Sequence, residues 1–175
     1  VFFNNNGIHP GEPEGIDACM ALLRDLCLDP ARRAALGRTV LAVDNSWFTL
    51  LTQNTAPIHF DRHYAAQTEF GQPLVDSTFT LALVTGQSVT DISQNVFANL
   101  GWDEVRLPNP VFEGDTLYSQ SEVLEKRESK SRPDVGIVRV RTTGFNQDGK
   151  TVIHFIRTVM VFRRGKAPVM PRPAP

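Results

Sequence analysis

The stretch "DSTFTLALVTGQSVTDIS", residues 76–93, decides the fold. Asp76 or Ser77 can cap a helix here, because a short oxygen-bearing side chain accepts an orphan N–H of the first turn. Phe79, Leu81, Ala82, Leu83, Val84 and Val89 leave little polar face in its first half. A helix apolar nearly all round is one that other elements surround. At roughly three to four turns it is too short to span a bilayer. Something else in the chain must therefore enclose it.

The enclosing material lies downstream. "NVFANLGWDEVRL" changes the character of the chain, and "PNPVFEGDT" is a turn-rich link. Three long β-type segments follow: 117–129, 135–147 and 150–164. Val138, Val140 and Thr142 alternate with Arg139 and Arg141, so one face is buried and the other wet. Asp148-Gly149 in "QDGK" is a hairpin turn pair, and "SKSRPD" links the first two segments. A curled antiparallel sheet wrapped round the apolar helix buries it on most sides. This is an α+β chain with a single hot-dog fold, and no internal repeat suggests a second unit.

Upstream, residues 1–36 read as an extended polar arm followed by helical segments, "IDACMALLRDLCL" and "PARRAAL". Gly37 ends the second. "RTVLAV", 38–43, is β-branched and predicts a strand. Asp44 is a candidate cap for the helix "NSWFTLLTQ". The expected organisation is an N-terminal extension over 1–36, the hot-dog domain over 37–165, and a Pro-rich tail over 166–175.

Bulk properties exclude several classes. With 175 residues, 41% apolar and 21% charged, the chain can bury one ordinary core. A net charge of −1 offers no electrostatic case for nucleic acid or anionic membrane. The opening segment lacks a basic region before an apolar one, so no signal peptide is expected and the cytoplasm is the default location. Cys19 and Cys27 on one helix would stand roughly 12 Å apart along its axis, too far for a disulfide. No Cys/His cluster has zinc spacing.

Chemistry points to "TQNTAPIHFD", Thr52 to Asp61. Pro57 prevents a long helix from running through it, and irregular backbone is where side chains are aimed at ligands. It reads as a catalytic segment with one part exchanged: Asn54 stands where a carboxylate makes easier chemical sense. His59 carries the side chain that titrates near neutrality. Asp61 is a fallback carboxylate or the cap of a short helix over 62–67.

From about Gly37 to Arg164 the chain resembles the MaoC-like hydratases and dehydratases. Their pattern runs Asp-x-Asn-Pro-x-His, then x-Asp, an Ala-Ala helix, and Phe-Gly-x-Pro-[IVL]-x-His-Gly. This chain reads Asn54-Thr55-Ala56-Pro57-Ile58-His59, Phe60-Asp61, Tyr64-Ala65-Ala66, then Phe70-Gly71-Gln72-Pro73-Leu74-Val75-Asp76-Ser77. "PVFEGDTLYSQSEVLE" resembles a further family segment. Asn54 replaces the pattern's Asp, and Asp76-Ser77 replaces its His-Gly. Residues 1–36 do not resemble the usual opening segment. The forms "QNTAPIHF" and "LVDSTFTLALVTGQSV" are similar to the branch that hydrates mesaconyl-CoA and itaconyl-CoA.

The resemblance implies an enoyl-CoA hydratase, reversibly a 3-hydroxyacyl-CoA dehydratase, acting on an acyl-CoA thioester without metal or tightly bound cofactor. His59 would move the protons and Asn54 would hold the water. Ser77 would offer its backbone N–H to the thioester oxygen, with Asp76 beside it at the substrate. Thr85 would line the pocket with a hydroxyl. Arg62 or His63 could meet a second substrate carboxylate, and "KRESKSR", 126–132, the phosphates of coenzyme A. His9 and His154 have no visible partners. A homodimer or higher homo-oligomer is expected. Two other readings stay open: a hot-dog thioesterase that recruits Asp61 or Asp76, and a non-catalytic acyl-CoA-binding partner of a hydratase.

Overall fold

The computed structural model describes residues 37–169. The expected arm, its two helices and both cysteines lie outside the described residues, as does the end of the Pro-rich tail. The element order is β1 (Arg38–Thr39), α1 (Ala42–Thr52), a 3₁₀ turn (Pro57–His59), α2 (Arg62–Ala65) and α3 (Ser77–Gln87). A π-helical turn (Val89–Ser93) and the strands β2 (Val96–Arg106), β3 (Thr116–Glu128), β4 (Val135–Phe145) and β5 (Thr151–Phe162) follow.

The strands form one antiparallel sheet in the order β1-β3-β4-β5-β2. The β4–β5 hairpin turns where "QDGK" predicts. Asn146 Oδ1 accepts the N–H groups of Asp148 (3.1 Å) and Lys150 (3.0 Å), and Gly149 takes φ +74°. That left-handed conformation suits a residue without Cβ.

α3 lies on the concave side of this sheet, as a hot-dog requires. Its N-cap is Asp76, whose carboxylate takes the N–H groups of Thr78 and Phe79. Thr80 and Val84 are buried, and Val84 belongs to the core with Val40, Leu117, Ile153 and Phe155. Gly144 on β4 is the point of closest approach. A Cβ there would sit 2.7 Å from Val84 Cγ2 and 2.9 Å from Ile153 Cγ2. The helix is less enclosed than its composition predicts: Phe79, Leu81 and Leu83 are half-buried, and Ala82 and Gly86 are exposed.

Two expectations are corrected. The strand predicted over 38–43 is only Arg38–Thr39. Asp44 ends it early: its carboxylate accepts the N–H of Leu41 at 3.0 Å and the Arg38 guanidinium at 3.0 Å, so helix starts at Ala42. Asp44 thus acts from the third helical position, not as the N-cap. The segment "VFANLGWDEVR" is an 11-residue edge strand, broken by three register shifts against β5.

α1 is inverted relative to an ordinary surface helix. Its buried side chains are polar, Asn45 and Thr49. Its apolar ones face outward, with Trp47 67%, Leu50 76% and Leu51 83% exposed. A buried polar side chain must find hydrogen bonds, and those bonds assemble the site.

Candidate functional site

Three backbone segments meet beneath α1. The first is the turn from Asn54 to His59. Pro57 starts a 3₁₀ turn that ends at His59, whose N–H bonds the Ala56 carbonyl at 3.2 Å. The second is the extended run Leu74–Val75, held by Leu74 N–H on Ile58 O (3.1 Å) and Val75 N–H on Val111 O (2.9 Å). The third is the start of α3.

His59 turns its Nδ1 toward the Leu74 carbonyl at 3.0 Å. A carbonyl only accepts, so Nδ1 carries the proton, and the lone pair of the neutral ring sits on Nε2. His59 and Ser77 line one cavity of about 330 Å³, walled by Phe70, Thr80, Leu107 and Val111. At the start of α3, Asp76 takes the N–H groups of Thr78 at 2.7 Å and Phe79 at 3.3 Å, and its carbonyl takes that of Thr80 at 3.0 Å. Among the described residues no protein acceptor takes the N–H of Ser77.

Asn54 lies elsewhere. Its Oδ1 accepts the Ala56 N–H at 3.0 Å, an Asx turn, and its Nδ2 donates to Asp76 Oδ2 at 2.6 Å. It lines a second cavity, of about 520 Å³, with Thr49, Leu50 and Phe60. Asn54 and His59 thus line different cavities in the single chain. Asn54 and Asp76 are brought together, two of the positions where the sequence departs from the family pattern.

Asp76 is 3% exposed. Burial pushes its carboxyl pKa up. Hydrogen bonds from the Thr78 side chain, the Asn54 amide and the backbone of Thr78 and Phe79 outweigh that, and hold it below the ordinary carboxylate value. An ionised carboxylate saturated with donors is a cap, not a proton acceptor.

The remaining candidates fall as follows. Asp61 caps α2, accepting the Tyr64 N–H at 3.0 Å. Arg62 is engaged by Glu113 at 2.9 Å, and His63 is exposed. Thr85 is half-buried, and its hydroxyl has no hydrogen-bond partner among the described residues. It lines neither of the two cavities above. In the basic segment, the Arg132 guanidinium stacks 4.6 Å from the Phe97 ring centroid, and Lys130 is exposed. A further cavity of about 540 Å³ lies between Arg38, Phe48, Phe79 and Leu83, and His59 does not line it.

Sequence reasoning missed Asn45, which is fully buried. Its Nδ2 donates to His59 O (2.7 Å) and Leu74 O (2.9 Å), and its Oδ1 accepts the Asp76 N–H (3.0 Å). The available signal was the pairing of Asn45 with Thr49, one helical turn apart, opposite the apolar Trp47, Leu50 and Leu51.

The model of the MaoC like domain family matches residues 28–145. The chain belongs to this family. The mesaconyl-CoA hydratase of Cereibacter sphaeroides is 46% identical over 101 residues, covering 58% of this chain and 29% of that protein. A putative MaoC domain protein dehydratase from Chloroflexus aurantiacus superposes with a TM-score of 0.70 at 32% identity, over 81% of this chain and 41% of that one. A Mycobacterium tuberculosis protein described as a double hot-dog superposes with a TM-score of 0.68 at 25% identity, over 80% and 42%. The chain thus spans less than half the length of these MaoC relatives. Among the described residues no helix is long and apolar enough to cross a membrane.

Proposed function

We propose that this chain is an enoyl-CoA hydratase, reversibly a 3-hydroxyacyl-CoA dehydratase, whose substrate is a methyl-branched dicarboxylic acyl-CoA of the mesaconyl or itaconyl type. One observation carries the reaction class. A histidine whose Nδ1 is fixed on a backbone carbonyl, with its lone pair on Nε2, lines the same cavity as Ser77, whose N–H has no protein acceptor among the described residues.

Hydration needs a base, an acid and an oxyanion site. His59 Nε2 takes a proton from water as its oxygen bonds Cβ. The double-bond electron pair moves to Cα and onto the thioester oxygen. The Ser77 N–H, backed by the α3 dipole, holds that oxygen. Nε2–H then returns its proton to Cα, and His59 ends as it began. Asn54 acts at one remove, by holding Asp76 and with it the cap that orders the first turn of α3.

The substrate assignment rests on the mesaconyl-CoA hydratase likeness. The two carboxylates the thioesterase reading would recruit are both engaged: Asp76 caps α3 and takes the Asn54 amide, and Asp61 caps α2. A homodimer fits the outward apolar face of α1 and the unpaired edge of β2, where Phe97, Leu100 and Trp102 are exposed. The double length of the related double hot-dog is consistent with pairing two such units.

The test is incubation with crotonyl-, mesaconyl- and itaconyl-CoA while following the enoyl absorbance. Turnover with preference for a dicarboxylic ester is expected. No turnover of any of the three sinks the hydratase reading, and preference for crotonyl-CoA removes the dicarboxylate claim alone. Sedimentation at micromolar concentration should give twice the chain mass or more.

A further inference from the structure

We infer that Asn45 is the positioning residue of this site: it sets the ring orientation and tautomer of His59 through the Leu74 carbonyl. The role rests on the hydratase reading for its catalytic consequence, but not for its structural one.

The geometry is unusually complete for one side chain. A primary amide has two N–H donors and one carbonyl oxygen. Asn45 directs one N–H to the His59 carbonyl and the other to the Leu74 carbonyl, and its oxygen takes the Asp76 N–H. Each bond ends on a different segment of the site. All three partners are backbone groups, so Asn45 fixes where the segments lie and not merely which side chains touch.

The Leu74 carbonyl is the decisive atom. It accepts from Asn45 Nδ2 at 2.9 Å and from His59 Nδ1 at 3.0 Å, so both its lone pairs are committed. The first bond orients the carbonyl, and the second uses that orientation to hold the imidazole. Asn45 also bonds the carbonyl of His59 itself, so the ring is fixed at its base and through its Nδ1 acceptor. Without Asn45, the neutral ring can place its proton on either nitrogen, and the fraction with a basic Nε2 facing the cavity falls.

No other residue type fits. Aspartate keeps the acceptor for Asp76 N–H but sets an oxygen against two carbonyl oxygens. Leucine keeps the volume but removes the Asn45 bonds to the His59 carbonyl and the Asp76 N–H, and leaves the Leu74 carbonyl held by His59 alone. The site lies inside α1, on the side opposite its exposed apolar face, so position 45 has no route to solvent.

The experiment reads the tautomer directly and needs no substrate. Nitrogen-15 spectra of the wild-type protein above the imidazole titration should show His59 with a protonated Nδ1 and a bare Nε2. A mixture, or the Nε2–H form, overturns the proposal at once. In Asn45→Ala the pattern should move toward a mixture. The variant's kcat on whichever enoyl-CoA the wild type turns over should drop about 10- to 100-fold, the scale of a small misplacement of a reacting group, with KM within about threefold. If Asn45→Ala does not fold, Asn45→Asp is read the same way. A folded variant of either kind that keeps the wild-type His59 tautomer and kcat refutes the role. If the wild type turns over none of the esters, the spectra still decide the tautomer claim, so the two readings fail separately.

Discussion

Asn54→Asp restores the carboxylate of the family pattern, and the structure expects it to damage the protein. Asn54 Nδ2 donates to Asp76 Oδ2 at 2.6 Å. A hydrogen bond to a charged group contributes about 1.5–3 kcal/mol net. The substitution removes that donor and sets two carboxylates against each other, where unit charges at 4 Å repel by about 4 kcal/mol at an effective dielectric of 20. The alternative is to share one proton. At pH 7 that costs about 4 kcal/mol for a carboxyl whose free pKa is about 3.9, partly offset by a short O–H···O⁻ bond. The shared proton is the cheaper route and leaves a loss of about 2–4 kcal/mol at pH 7, read as a lower urea midpoint at unchanged slope. The sign with pH follows. The shared-proton site has a folded pKa raised above the unfolded one, so the variant recovers stability as pH falls and loses it as pH rises. Asn54→Asp/Asp76→Asn moves the carboxylate to the other side of the contact and should regain most of the loss. Wild-type stability in Asn54→Asp at pH 7, or higher turnover than wild type, would refute this account. The second outcome would mean that Asn54 is a degraded acid/base residue and not a structural donor.

Three further outcomes follow from other contacts. His59→Ala should lower kcat by about 10²- to 10⁴-fold, the usual share of a general acid/base, with little change in thermal midpoint, since its side chain is only partly buried. Gly144→Ala puts a methyl 2.7 Å from Val84 Cγ2, so denaturant titration should show a loss of about 1–3 kcal/mol as α3 is pushed off the sheet. Against the effect of burial, hydrogen bonds from Thr78, Asn54 and the α3 backbone hold the Asp76 carboxyl below the ordinary carboxylate value. Its contribution is therefore present above the unfolded pKa and lost as pH falls through the folded one. The stability gap between wild type and Asp76→Asn should narrow on acidification below about pH 4, measured by urea titrations at several pH values.

The readable parts of this sequence were those that local chemistry dictates. The central helix, its Asp76 cap, and the Asp148-Gly149 hairpin follow from capping, apolar density and turn geometry, and the structure has all three. Where tertiary contacts overrule local preference, the reading slips. Residues 40–43 are β-branched enough for a strand, but the Asp44 carboxylate binds Leu41 N–H and Arg38, and turns the chain into α1. β2 was not read as a strand because Gly101 and Glu104 take positive φ and its register shifts three times, which breaks the alternation that marks a strand. α3 looked fully enclosed because composition does not say how many sides one chain covers. Asn45 escaped notice because a polar residue inside a short helix looks like surface. Only the three-dimensional inversion of α1 makes it a core residue.

The departures at positions 54 and 76 looked like two separate changes in sequence. In space they form one contact. The family pattern has a carboxylate at the first position and a potential donor, histidine, at the second. This chain has a donor at the first and a carboxylate at the second, 2.6 Å apart. The polarity of the pair is reversed and its complementarity is kept. Loss of the Asn54 amide would leave the buried Asp76 one donor short, at about 1.5–3 kcal/mol for a hydrogen bond to a charged group. Reversal also relocates the negative charge. It now sits at the N-cap of α3, where the helix dipole favours it and two backbone N–H groups bind it. On the proposed mechanism proton transfer then falls to His59, whose Nδ1 the Leu74 carbonyl engages. Asn54 is thus the donor half of a contact that holds the cap of α3, and on the proposed mechanism the acid/base chemistry rests on a single imidazole.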